Sequence, residues 1–196
     1  VKDVLGGFIG DISVRRFIME DPIITRGFRD YTGREPMKDI SWKRTAAAGK
    51  LMVKEYDHTS EINVIILLDL EAEDGEEIEQ CYRLTRAACE ALEAKKISYG
   101  LRTNGGLFSP IGHMAYMPQG LGDKHFKTIM YALGNARRVA YVSFRTLVEQ
   151  AIKKQRNNEN HIVIVPHRDE YIDGCIRHLE SGTGNKALVL SGGEEL

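Results

Sequence analysis

One tryptophan, three cysteines and five prolines are all that this chain of 196 residues carries of those types, and its net charge is only -1. Cys81, Cys89 and Cys175 are odd in number and lack the spacing of metal ligands; two of them fall at helical positions. That argues against a disulfide framework and points to buried or free thiols in a reducing compartment. No apolar run approaches the ~20 residues of a membrane helix, and no stretch reads as a signal peptide. The near-neutral balance argues against general attraction to nucleic acid or anionic lipid. What remains, 42% hydrophobic and 28% charged residues, is the profile of a folded globular chain. It opens on Val rather than Met, the expectation for a piece of a longer protein.

The charges that are present are unevenly spread. From Arg15 to Lys54 there are ten Lys/Arg against five Asp/Glu, whereas Asp69 to Glu79 holds seven carboxylates and no base. The only Trp lies in the basic stretch, in a polar segment running from Phe28 to Ala46. A Trp among so many charges implies a defined seat for the ring.

Periodicity sets the organisation. Ile12 to Met19 reads as a strand ended by Asp21-Pro22, and Leu51 to Tyr56 as another. Ile62 to Leu70 is almost wholly apolar, which fits a strand covered on both faces. Asp74 is then an N-cap with Glu77 in the capping-box position. Ile78, Cys81, Tyr82, Thr85, Ala88, Cys89 and Leu92 form one buried helical stripe.

Ile97 to Arg102 is the next strand, Asn104-Gly105-Gly106 a turn, and His113 to Met117 a short strand. Helices follow at Asp123 to Leu133 and Ser143 to Gln155, then a strand at His161 to Val165, a helix at Asp169 to Leu179 and a strand at Lys186 to Leu190. This alternation predicts an α/β fold, an open and mostly parallel sheet of Rossmann-like type with helices on both faces. Its first strand, Ile62 to Leu70, belongs at the centre. Leu51 to Tyr56 is thereby excluded from the neighbouring seats. It belongs to an extended N-terminal arm over residues 1–60, clasping the flank of a domain over 61–196.

The segment Arg29-Asp30-Tyr31-Thr32-Gly33-Arg34-Glu35, with Ile40-Ser41-Trp42-Lys43, Thr45-Ala46, Gly49-Lys50-Leu51 and Val53-Lys54-Glu55-Tyr56, resembles the signature of the bacterial family called domain of unknown function 58. The resemblance implies a von Willebrand factor A-like domain after the signature. It also implies association with a MoxR-type AAA+ ATPase, and upstream membrane helices outside this chain. The expected location is the cytoplasm or the cytoplasmic face of the membrane.

Von Willebrand A domains that bind metal present D-x-S-x-S after the first strand; here the run is Asp69-Leu70-Glu71-Ala72-Glu73, with glutamates at both serine positions. Mg²⁺ or Mn²⁺ held by Asp69, Glu71 and Glu73 is one reading, since hard cations prefer oxygen ligands. Acids solvated at a helix start, complementing its dipole, are the other. The family's two further metal loops correspond to Gly120-Leu121-Gly122 and Pro166-His167-Arg168-Asp169, the first lacking a Thr.

Arg29, Tyr31, Gly33, Trp42 and Lys43 form either a recognition surface, since Arg, Tyr and Trp dominate interface energetics, or anchors for the arm. His167 with Asp169 has no paired nucleophile, and Asp169 suits a helix cap. Gly182 to Lys186 lacks phosphate-loop spacing and reads as a turn. The remaining histidines form no zinc pattern.

These readings lead to an expectation of a non-enzymatic adaptor domain. It would bind a protein partner, an AAA+ ATPase by resemblance, through an acidic upper rim of Asp69, Glu71 and Glu73. The alternative is a metal-dependent hydrolase or phosphotransfer enzyme built on the same carboxylates. A third possibility is self-association.

Overall fold

The most apolar strand lies in the middle of the sheet. The computed structural model describes residues 2–19, 25–33, 35–56, 62–72, 74–109, 112–137, 139–155 and 159–193. The chain divides into two compact units, one of Val1–Ser13 with Glu61–Leu196 and one of Val14–Ser60.

In the larger unit, β3 (Asn63–Leu68) pairs in parallel with β4 (Ser98–Ser109) on one side and β6 (Glu159–Val165) on the other. β5 (Gly112–Gly120) adds to β4 antiparallel, and β7 (Leu188–Ser191) adds to β6 in parallel. The order is β5-β4-β3-β6-β7. Val64 through Leu68 are all buried, as a strand covered on both faces demands.

Alternate residues of that strand feed two cores. Val64, Ile66 and Leu68 pack with α3 (Gly75–Ala94) and α4 (Asp123–Gly134). Ile65 and Leu67 pack with α5 (Phe144–Lys153) and α6 (Glu170–Thr183). Period-two geometry turns one uniformly apolar run into the seam between both layers. The α3 stripe includes Leu84 as well as the expected residues, and Tyr82 is half-buried.

Three expectations are corrected. Ile12 to Met19 is not a strand but the second half of helix α1 (Lys2–Met19). Leu5, Ile9 and Ile12 recur at three- and four-residue spacing and are buried in the core of the larger unit. The helical period therefore begins upstream of the window that suggested alternation.

Asn104-Gly105-Gly106 is not a turn, because β4 runs through it to Ser109. The pairing with β5 shifts register between Arg102 and Leu107, so the glycines sit in an irregularity of the strand.

The N-terminal segment is not simply extended. The unit Val14–Ser60 contains β1 (Thr25–Asp30) paired antiparallel with β2 (Met52–Tyr56), a 3₁₀ turn at Met37–Asp39 and α2 (Trp42–Ala48). Gly49 ends α2 at φ +67, the left-handed position glycine takes without strain.

Candidate functional site at the carboxyl end of the sheet

Asp69 directly follows β3, at the end of an open sheet where such folds bind ligands. Its side chain is 2% exposed. Oδ1 accepts from the Glu71 backbone N–H at 3.0 Å and from Asn104 Nδ2 at 2.6 Å. Burial pushes the carboxyl up to about 6; the two hydrogen bonds and His167 oppose that rise. Asn104 Oδ1 in turn accepts from the Leu70 N–H at 2.9 Å. Asn104 thus supplies one donor and one acceptor to the strand end and holds it closed.

The same asparagine secures a second element. Its carbonyl accepts from Tyr141 N–H at 2.8 Å and from Val142 N–H at 3.2 Å, tying the loop between α4 and α5 to the rim. A Cβ on Gly105 would stand 2.6 Å from the Val139 carbonyl oxygen and 2.7 Å from Leu70 Cδ1. Only glycine permits that approach. The tied loop leaves Val139 52% and Tyr141 61% exposed, with Val142 also exposed. Tyr171 is exposed beside them, its hydroxyl accepting from the Arg145 N–H at 3.3 Å. Four apolar side chains thus stand in solvent along one rim.

The acids expected to form that rim are differently disposed. Asp69 is buried and cannot act as part of an acidic surface patch. Glu71 is exposed, and Glu73 lies outside the described residues. Asp74 caps α3 by accepting from the Glu76 N–H at 2.9 Å. Glu77 Oε2 lies 3.8 Å from His167 Nδ1, and Asp169 Oδ2 lies 3.9 Å from His167 Nε2. Asp169 also caps α6, accepting from the Ile172 N–H at 2.8 Å.

These residues do not fit a metal-ion adhesion site. One Asp69 oxygen is engaged by two donors, and Glu71 is exposed. Gly120-Leu121-Gly122, expected to complete the site, lies at the opposite end of the sheet. β5 runs antiparallel, so Gly120 pairs with Tyr99 near the start of β4, and Gly122 N–H donates to Glu93. Among the described residues no group of three His, Cys, Asp or Glu side chains is arranged to hold a metal ion.

In the smaller unit, Arg29 Nη1 donates to Glu35 Oε1 at 2.5 Å, while Thr32 donates its hydroxyl and its N–H to the same carboxylate. The Thr32 hydroxyl bond, then Arg29 and the Thr32 N–H, hold the Glu35 carboxyl down at about 2 against the opposing effect of desolvation. Gly33 stands at φ +88 within that turn. Tyr31 N–H donates to the Leu51 carbonyl at 3.0 Å, and Lys43 is exposed on α2. Trp42 is not the seated anchor that its surroundings suggest. It is 61% exposed, whereas Ile40 and Val53 are buried.

Sequence reasoning missed Asn104, because Asn-Gly-Gly is a strong turn signal read locally. It also missed a buried polar group at the other end of the sheet. Glu159 and His161, two apart on one face of β6, are each 1% exposed. Gln119 Nε2 donates to Glu159 Oε1 at 2.8 Å, leaving Glu159 Oε2 and His161 Nε2 without partners.

The sequence model of the family described as Protein of unknown function DUF58 matches residues 27–165, well over half of the chain. None of the curated proteins matches it.

Proposed function

We propose, from the premise that this chain belongs to the DUF58 family, that it is a non-enzymatic protein-interaction module whose carboxyl rim is the binding face. A von Willebrand A-like arrangement suits the five-stranded, mostly parallel sheet with helices on both faces. A MoxR-type AAA+ ATPase is the partner that the family resemblance implies. The observation that carries the reading is the exposed Val139, Tyr141 and Val142 of a loop tied down through Asn104, with exposed Tyr171 bonded to the Arg145 N–H. Isolated exposed apolar residues are ordinary, but several together on a hydrogen-bonded rim mark an interaction surface.

Capture of the ATPase by the full-length protein tests this. Tyr141→Ser with Tyr171→Ser should abolish capture while leaving the melting temperature within about 2 °C. Capture that survives both substitutions places the binding face elsewhere. The metal-dependent alternative has its own test in calorimetric titration with Mg²⁺, Mn²⁺ and Ca²⁺. Binding tighter than about 0.1 mM that disappears in Asp69→Ala would favour it over the interaction module.

A further inference from the structure

The smaller unit carries an exposed face of its own. Helix α2 has seven residues and no acid, Trp42-Lys43-Arg44-Thr45-Ala46-Ala47-Ala48. Two contacts mark the side it turns to the β1–β2 hairpin. Thr45 Oγ1 accepts from the Met52 N–H at 3.0 Å, and the Arg44 guanidinium carbon lies 5.0 Å from the centre of the Phe28 ring. At 3.6 residues per turn, Trp42, Lys43, Ala46 and Ala47 fall on the opposite side, and all four are exposed.

The charges around this face are of one free sign. Among the described side chains of the unit the acids are Asp30, Glu35 and Asp39. Lys50 reaches Asp30 at 2.7 Å, Arg29 pairs with Glu35, and Asp39 is not free. Lys38, Lys43 and Lys54 make no ion pair among the described residues, and Arg44 meets an aromatic ring. Lys54 shares one face of the hairpin with exposed Phe28, because the two are register partners. Over the whole unit ten Lys/Arg stand against seven Asp/Glu, and from Arg26 to Lys54 eight stand against three. The near-neutral total conceals this, since seven carboxylates crowd Asp69 to Glu79.

We propose that the outer face of α2 docks on a bilayer containing anionic phospholipid. Trp42 enters the headgroup layer with Ala46 and Ala47, and Lys43 meets the lipid phosphates. Arg44 and Lys54 add to the field that draws a negative surface. The size of the face favours this occupant. A helix rising about 10 Å presents roughly 100 Å² on one side, against the ~800 Å² that a stable protein interface takes from each partner. Ala46 and Ala47 offer no donors to bases or phosphates, and one ring is no stacking track for a nucleic acid. Trp beside Lys suits a headgroup layer, which is apolar on one side and wet on the other.

Trp42 is the chain's only tryptophan, so its fluorescence reports on this face alone. The intact protein is titrated with vesicles of phosphatidylcholine and of phosphatidylcholine mixed with phosphatidylserine. The mixed vesicles should shift the emission to the blue, brominated phosphatidylcholine within them should quench it, and added salt should reverse both. Neutral vesicles should do neither. Lys43→Glu with Arg44→Glu should weaken binding about tenfold or more, whereas the same change at Lys124 and Lys127 on α4 should leave it unaltered. Trp42→Ser, read by co-sedimentation with the mixed vesicles, should weaken it too, with the melting temperature confirming that the variant is folded. Emission unmoved by mixed lipid up to about 1 mM, an equal shift with neutral vesicles, or an equal loss from the α4 pair overturns the proposal. A polyglutamate peptide or single-stranded DNA that moves the emission at lower concentration than the vesicles would assign the face to an acidic protein or a nucleic acid, and overturns the lipid.

Discussion

Two buried ionisable side chains impose opposite pH dependences on this fold. Asp69 has its carboxyl raised from 3.8 to about 6, chiefly by burial. Its favourable contribution is therefore complete below the unfolded value and is lost as pH rises through 6. His161 is lowered from 6.5 to about 4, by burial first and then by Arg102. It stabilises the fold above 6.5, and that contribution is lost as pH falls toward 4. Between roughly pH 4 and 6 the two slopes oppose each other.

Asp69→Asn keeps an oxygen for the Glu71 and Asn104 donors but cannot ionise, so it should stabilise the protein by about 2 kcal/mol at pH 7.5 and not at pH 3.5. His161→Leu removes an unpaired buried nitrogen and should flatten the acid limb below pH 6.5. Urea unfolding across the pH range reads both. An Asp69→Asn stability difference that grows on acidification would refute the assignment. Asn104→Ala is the harsher change, because it strands the Leu70 N–H and one side of Asp69; a loss of about 2–4 kcal/mol is expected.

At the scale of elements, the irregularity in β4 is the decisive feature. It carries Asn104 to the rim and lets the chain approach the α4–α5 loop closely at Gly105. Gly105→Ala presses a methyl group against the Val139 carbonyl, a backbone atom that cannot rotate away. It should cost about 1–3 kcal/mol and weaken partner capture. Gly134→Ala, with nothing within 4 Å of the added Cβ, should do neither. Equal effects of the two substitutions in thermal unfolding would remove the close approach as an explanation.

Caps behave as their residue types dictate. Ser143 caps α5, accepting from the Thr146 N–H at 3.3 Å, and Asp169 caps α6. Each replacement by Ala should cost about 1 kcal/mol.

For the whole molecule, the two cores on either side of β3 should open together. The three cysteines report on this without added probes. Cys81 and Cys89 are completely buried in one core and Cys175 is 4% exposed in the other. Burial raises all three thiols, Cys81 to about 12. In the native protein at pH 8 a thiol reagent should label none of them rapidly. Labelling under increasing urea should proceed at one common rate, because helices on both faces of a single central strand cannot leave independently. Early labelling of Cys175 alone would show that the α5–α6 layer opens as a separate unit.

Much of this architecture was legible in residues 62–190. The unbroken run from Ile62 requires cover on both faces, and Asp74, Ser143 and Asp169 mark helix starts by local hydrogen-bonding chemistry. These are short-range properties that the chain carries wherever it folds. The expectation that Asp69 belongs to a carboxylate rim failed because exposure is not a local property: Asp69 is buried where Asn104, 35 residues away, reaches its oxygen. Asn-Gly-Gly reads as a turn until the α4–α5 loop bridges to Gly105 at Ala140, and Tyr141 gains significance only when Asn104 draws its loop to the sheet. Beyond Ile62 the sequence alone determined most of the strands and helices, and which strand is central, because periodicity and capping act over a few residues. Tertiary structure alone decided which polar groups are buried and which apolar side chains are left in water, because both depend on contacts between segments distant in the chain.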